Sequence, residues 1–265
     1  MYAFAYHRPQ TVADAARLLA SNAEAKVLAG GHTLIPTMKQ RLAAPKAIVD
    51  LSQVAELKGI DRKGNTLVIG AMTRHAEVAD SPVVRSAIPA LVDVAGLIGD
   101  PHVRQRGTIG GSVANNDPAA DYPAALLALN ATVTTNKRDI KADDFFQGLF
   151  STALQDGEII TRISFPVPAE FAYAKFPHPA SRYALVGVGV AQTGSGVRVA
   201  VTGAGNNGVF RHTAMEAALG NSWSAGALKD VTTDPSTMMS DIHADAAYRA
   251  HLVGVIARRA VAGAA

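Results

Sequence analysis

The chain has 265 residues, 48% hydrophobic and 18% charged, with a formal net charge of +3 and no cysteine. This globular composition excludes wholesale disorder, and the missing cysteines exclude disulfides, cysteine-ligated zinc, cysteine nucleophiles and any iron–sulfur cluster held by this chain. The 25 Lys and Arg form no dense basic cluster, so duplex nucleic acid is not an expected partner.

The opening MYAFAYHRP has no basic region followed by an apolar run, so no leader peptide is expected. The longest apolar stretch, Pro123 to Val133, falls short of the ~20 residues that a membrane span needs. A soluble, cytoplasmic protein without membrane insertion is expected.

The first fifty residues read as a compact α/β unit. Val12, Ala15, Ala16 and Leu19 share one face of a helix that Thr11 can cap, with Asp14 in its first turn. Lys26 to Ala29 is a short strand ending at Gly30-Gly31. A second, short helix follows from Thr33, with Pro36 in the first turn, where proline is tolerated. Ala47 to Leu51 is another strand. Leu57 to Ile60 and Thr66 to Ala71 suggest a strand pair joined at Arg62-Lys-Gly-Asn. Val83 to Ile98 is helical with a break at Pro89, and Gly99 to Asp121 reads as loop. A helix over Pro123 to Leu129 and a strand over Ala131 to Thr135 come next. Phe165-Pro-Val-Pro marks a boundary, because two prolines interrupt any sheet there. Beyond it, Tyr183 to Ala191 and Val197 to Gly203 are strands separated by the hairpin signal Thr193-Gly-Ser-Gly. Helices are expected over Ala214 to Leu219 and Asp245 to Arg259.

Two segments share a grammar: Ala29-Gly30-Gly31-His32-Thr33-Leu34 and Thr108-Ile109-Gly110-Gly111-Ser112. Paired glycines let the backbone turn with positive φ and approach a ligand closely. Successive N–H groups in such a turn form a concave anion site, the hydroxyl adds a donor, and a helix after the first loop adds its N-terminal dipole. Two such loops suit a pyrophosphate if the fold brings them together; either alone could be only a turn. Downstream, Asp121 can cap the helix that follows, accept hydrogen bonds from a ribose or ribityl hydroxyl, or do both. Asp117, before Pro118, has the same duality.

The runs AGGHTLIPTMKQRLAAPKAIVDLS (Ala29 to Ser52) and RQRGTIGGSVANNDPAADYPAALLAL (Arg104 to Leu129) resemble the FAD-binding medium subunit of the molybdenum hydroxylases. The likeness is greatest to carbon monoxide dehydrogenase medium subunits, with xanthine dehydrogenase flavin domains further off. It extends through Phe145-Phe-Gln-Gly, Glu158-Ile-Ile, Tyr173-Ala-Lys175-Phe and the tail from Ala244, and so spans nearly the whole chain.

The resemblance implies an α+β, PCMH-type (vanillyl-alcohol-oxidase-like) FAD-binding fold in two units, residues 1–53 and 54–165. A smaller C-terminal α+β domain, an antiparallel sheet with helices, would cover 166–265. It implies that Ala29, Gly30, Gly31, His32, Thr33 and Leu34 form a first pyrophosphate loop, and Thr108, Gly110, Gly111 and Ser112 a second. Asp121, with Asp117 beside it, would hold sugar or ribityl hydroxyls. Ile98 and Ile160 match apolar positions flanking the cofactor, Lys175 a lysine near the flavin, and Tyr183 an aromatic residue beside the isoalloxazine; Tyr183 could equally be an ordinary strand aromatic. Many relatives carry Asn where this chain has Ser112, a shorter side chain with fewer hydrogen bonds.

By the same resemblance the protein is the flavoprotein subunit of an oxidoreductase complex. A large subunit would hold the molybdenum cofactor and a small one [2Fe-2S] clusters, in a dimer of heterotrimers, and electrons would pass through FAD to an external acceptor. The cofactor supplies that chemistry, so no catalytic side chain and no metal site is expected on this chain. Three rivals stand beside it: a stand-alone oxidoreductase of the same fold, one holding FAD covalently through His32, and a structural subunit without cofactor. The last predicts damaged glycine loops, and both are intact. Gly203-Ala-Gly205-Asn-Asn-Gly208 fits a dinucleotide fingerprint, but helical pattern resumes only near Thr213, so these glycines read as a turn. Neither G-x-S-x-G nor H-E-x-x-H occurs, which removes the corresponding hydrolases.

Overall fold

The computed structural model describes residues 1–263. The first unit contains β1 (Ala5–His7), α1 (Val12–Ala20), β2 (Ala25–Leu28), α2 (Leu34–Lys39) and β3 (Ala47–Asp50). Its strands form a parallel sheet in the order β1-β3-β2. Helix α1 starts as expected, with the Thr11 hydroxyl accepting from the Asp14 amide at 3.1 Å. Its apolar face packs Val12, Ala15, Ala16 and Leu19 against Val27 and Val49. Strand β1 was not anticipated. It pairs on one side only and is mostly exposed, so its residues carry no alternating apolar signal.

The second unit runs through β4 (Ile60–Lys63), β5 (Thr66–Gly70), α3 (His75–Asp80), α4 (Pro82–Ala87), α5 (Pro89–Gly96), α6 (Pro101–Arg104), α7 (Ile109–Asn115) and α8 (Asp121–Ala128). It continues with β6 (Thr132–Thr135), β7 (Asp139–Lys141), α9 (Ala142–Phe145), β8 (Phe146–Gly148), β9 (Ser151–Thr152) and β10 (Ile160–Pro166). Five strands form an antiparallel sheet, β4-β5-β10-β6-β7, and β8 pairs with β9. The strand expected at Leu57 starts at Ile60 instead; Leu57 is fully buried in the core of the first unit. The stretch expected as loop, Gly99 to Asp121, contains α6 and α7. Glycine in the first turn of α7 hides that helix from any propensity reading.

The chain then forms β11 (Glu170–Pro177), β12 (Ala184–Thr193), β13 (Gly196–Thr202) and β14 (Phe210–Arg211), an antiparallel sheet in that order, followed by α10 (Thr213–Asn221) and α11 (Ala246–Gly263). The glycines from Gly203 to Gly208 form a turn, with positive φ at both ends, well before α10. Helix α8 sits between the second unit and this sheet, against β12 and β13, and all its residues are buried. That placement explains a sequence that is apolar on every side. Thr202 and Gly203 bind the carbonyls of Pro118 and Ala120, and Ala184 donates to that of Ala119. The sheet is thus fixed onto the segment that leads into α8.

Glu158 shows how the second unit is stitched. Its side chain is fully buried and accepts from Arg138 Nε at 3.0 Å, the Thr135 hydroxyl at 2.7 Å and the Gln155 amide at 2.8 Å. Burial alone would raise its pKa, but Arg138, the amide and the hydroxyl outweigh it and hold the carboxyl at about 2. A folded-state pKa below the unfolded one contributes stability above the unfolded value, ~4.3, which is lost as pH falls towards the folded value. The stability of Glu158→Gln relative to the native chain should therefore improve steadily as pH drops from about 5 towards 2. Urea unfolding across that range checks it; parallel curves would show that Glu158 is not held in this way.

Candidate functional site

The two glycine motifs meet. A Cβ on Gly30 would stand 2.3 Å from the Arg106 carbonyl oxygen and 2.8 Å from the Gly107 Cα. One on Gly111 would lie 3.5 Å from the Ala29 Cβ. The loop after β2 and the start of α7 are in backbone contact, and glycine is required for the approach.

Their chemistry differs. In the first loop Gly31 has φ +78°, a left-handed conformation that favours glycine. Among the described residues, no acceptor is bonded to the amides of Gly30, Gly31, His32, Thr33 or Leu34. These are five consecutive amides without an acceptor among the described residues. Helix α2 after them has only six residues.

The second motif does not turn. Gly110 and Gly111 lie within α7, and neither has positive φ. The amides here are already committed: Ile109 to Thr73 O, Gly110 to Ala71 O, Gly111 to the Thr108 hydroxyl and Ser112 to Thr108 O. The expectation of a second open N–H nest is corrected accordingly. What this motif offers is a side chain, the Ser112 hydroxyl, which makes no hydrogen bond to the described residues and is half-buried. Gly110 is there for packing, since a Cβ would come within 2.6 Å of the Ala71 Cβ.

His75 supports this motif from below, and nothing in the sequence pointed to it. Its amide donates to Gly107 O, and its Nε2 lies 2.6 Å from where a Gly107 Cβ would be. Burial, with smaller contributions from His32 and Arg104, pushes the imidazole down to about 4, so it is neutral at physiological pH. Arg104 donates 3.0 Å hydrogen bonds to the carbonyls of Ile98 and Gly99, fixing the turn after α5.

Asp121 is not a helix cap. It is the first residue of α8, the cap position is Ala120, and the carboxylate is 5% exposed. One oxygen accepts from the Tyr173 hydroxyl at 2.6 Å and the other from Lys175 Nζ at 3.0 Å. Lys175 is 2% exposed and also donates to Leu97 O at 3.1 Å. Asp121 and Lys175 thus bind each other, a pairing the sequence did not show. Asp117 behaves as expected of a turn residue, accepting from the Ala119 amide at 2.9 Å. Its other oxygen makes no bond to the described residues, and burial raises its pKa.

Tyr183 lies just before β12, 50% exposed, so it is a loop aromatic and not a strand one. Partial burial raises its pKa, as do the charges of Asp117 and Asp121. Ile98 is half-buried in the turn held by Arg104. Ile160 is 5% exposed and packs in the main core. His32 and Thr33 are exposed at the loop surface.

Among the described residues, no group of three or more His, Asp or Glu could hold a metal ion, and no helix is long and apolar enough to cross a membrane. A hollow between Phe210 and Thr237 presents threonine hydroxyls and His212, but His212 already caps α10 and bonds Thr233.

The profile described as "FAD binding domain in molybdopterin dehydrogenase" matches residues 2–168. The one described as "CO dehydrogenase flavoprotein C-terminal domain" matches 171–264. The chain is 35% identical to the carbon monoxide dehydrogenase medium chain of Hydrogenophaga pseudoflava, over 97% of this chain and 96% of that one. It is 35% identical to the nicotine 6-hydroxylase medium subunit of Paenarthrobacter nicotinovorans, over 98% and 96%. Its fold superposes on reconstituted CO dehydrogenase from Oligotropha carboxidovorans with a TM-score of 0.91 at 34% identity, covering 99% and 98% of the two chains.

Proposed function

This chain belongs to the family of FAD-binding medium subunits of the molybdenum hydroxylases, and from that premise we propose how it works within its own complex. The contact between the two glycine motifs would hold FAD. The free amides of Gly30 to Leu34 and the Ser112 hydroxyl would bind its pyrophosphate. Tyr183 and the Ile98 turn would flank the isoalloxazine, and the buried Asp121–Lys175 pair would supply a charge pair near it. The observation that carries this reading is the backbone contact at Gly30: it converts two distant motifs into one cradle with five unsatisfied donors on one wall.

The bound FAD supplies two-electron redox chemistry. The protein binds it, orients it and sets the charge around it. The chain has no cysteine, so iron–sulfur clusters that deliver electrons sit on a partner subunit, and a large subunit holds the molybdenum centre. We place the complex in the cytoplasm as a dimer of heterotrimers.

The full chain, expressed alone and with its partner subunits, should be yellow, with flavin bands near ~450 nm that acid precipitation releases into the supernatant. Flavin staying in the pellet would indicate covalent attachment, with His32 as the residue to substitute. Colourless protein from both preparations, unable to take up added FAD, would overturn the reading.

A further inference from the structure

The Asp121–Lys175 pair crosses the junction between the flavin-binding part and the C-terminal sheet: Asp121 opens α8, and Lys175 lies in β11. Tyr173 is two residues from Lys175 on the same strand, so both side chains leave the same face. Across the ladder their register partners on β12 are glycines, Gly189 opposite Tyr173 and Gly187 opposite Lys175. Neither glycine is needed for backbone conformation, since neither has positive φ. They are needed for room. A Cβ on Gly187 would stand 2.1 Å from the Tyr173 hydroxyl oxygen, and one on Gly189 would lie 3.4 Å from the Ala124 carbonyl oxygen. Gly187 on β12 leaves the notch through which the hydroxyl reaches the carboxylate, and Gly189 lets α8 pack closely beside it.

We propose that Tyr173 is a positioning residue of the flavin site: it fixes the Asp121 carboxylate, which fixes the Lys175 ammonium, and the three hold one balanced charge pair under the cofactor. This rests on the flavin reading above. The carboxylate has one oxygen for each partner, and the ammonium is held from both sides, by Asp121 and by the Leu97 carbonyl. Asp121 then serves the cofactor through Lys175, not by accepting its hydroxyls. Burial pushes the Asp121 carboxyl up, while Lys175 and the Tyr173 hydroxyl oppose that shift. The other titratable groups that sense its charge are Tyr122 on α8 and Tyr183 before β12. Lys175 is the only cation bonded to it among the described residues.

Flavin gains negative charge on reduction, so an unbalanced cation nearby raises its midpoint potential and an unbalanced anion lowers it. The test is the potential of FAD bound to the full chain. Asp121→Asn should raise it and Lys175→Met should lower it. The double variant, with charge balance restored, should return close to the native value. Tyr173→Phe should shift it in the direction of Asp121→Asn, and more at lower pH, because a carboxyl without its hydroxyl donor takes up a proton more readily. A purely structural role would move the single variants the same way and the double variant further. That pattern, or unchanged potentials, would overturn the proposal. Failure of the native chain to bind FAD would count against the flavin reading instead. In that case the Asp121–Lys175 coupling is read from thermal unfolding: the double variant must lose less than the two single losses together, and additive losses would refute it.

Discussion

Gly30→Ala should abolish FAD retention, although it adds a single methyl group. That methyl would sit 2.3 Å from the Arg106 carbonyl oxygen and 2.9 Å from the Arg106 carbonyl carbon, both backbone atoms that cannot rotate away. Relief requires the two motifs to separate by about 1 Å, since non-bonded contacts settle near ~3.5 Å. A displacement of ~1 Å in a positioned site can cost about 100-fold, equivalent to roughly 2.7 kcal/mol of binding. Gly111→Ala is the contrast. Its Cβ would meet the Thr108 hydroxyl at 2.9 Å, a side-chain atom able to shift slightly, and would emerge inside a helix, where alanine is favoured by ~1 kcal/mol. FAD content per chain, measured by absorbance after gel filtration, should be near zero in the first variant and largely kept in the second. Gly111→Trp, by contrast, would fill the gap towards Ala29 and should behave like Gly30→Ala. Full flavin content in Gly30→Ala would mean that the loop contact does not form the cradle.

The two motifs were legible because glycine leaves a mark whatever its purpose, but the purpose could not be read from the letters. Gly30-Gly31 and Gly110-Gly111 look alike in the sequence. One pair ends a strand, with Gly31 at positive φ; the other opens a helix, where close packing against Ala71 demands it. Elements with a strong local period were visible: α1 through its cap and apolar face, and β12–β13 through alternating valines and a Gly-Ser-Gly turn. Strand β1 and helices α6 and α7 were hidden, because edge exposure, four-residue length and glycine content each erase the period. The charge pair was half visible. Asp121 and Lys175 were each singled out, but they lie 54 residues apart along the chain and their pairing depends on how α8 packs against the C-terminal sheet. The one local hint was Tyr173-x-Lys175 facing Gly187-x-Gly189, a pattern that means a notch only once the strands are known to be paired in that register.

Asp121→Ala should lower the stability of the chain before it affects the cofactor. In the native protein the carboxylate is almost fully buried, and its removal leaves the Lys175 ammonium, 2% exposed, with only the Leu97 carbonyl as acceptor. Breaking a buried pair from one side costs about 3–5 kcal/mol, because the remaining charge stays out of water without its partner. In a chain of this size that corresponds to a fall in Tm on the order of 10 °C. The Tyr173 hydroxyl loses its acceptor at the same time, and the apolar α8 offers no replacement. Adding Lys175→Met should recover a large part of the loss, since two apolar side chains in place of a buried ion pair are often tolerated. Thermal unfolding of the flavin-free chain makes the distinction. If the bond to Lys175 contributed nothing and Asp121 acted only on the cofactor, the flavin-free variant would melt where the native chain does, and only FAD binding would suffer. If it is the counter-charge of Lys175, the loss is present without flavin and is partly reversed by the second substitution.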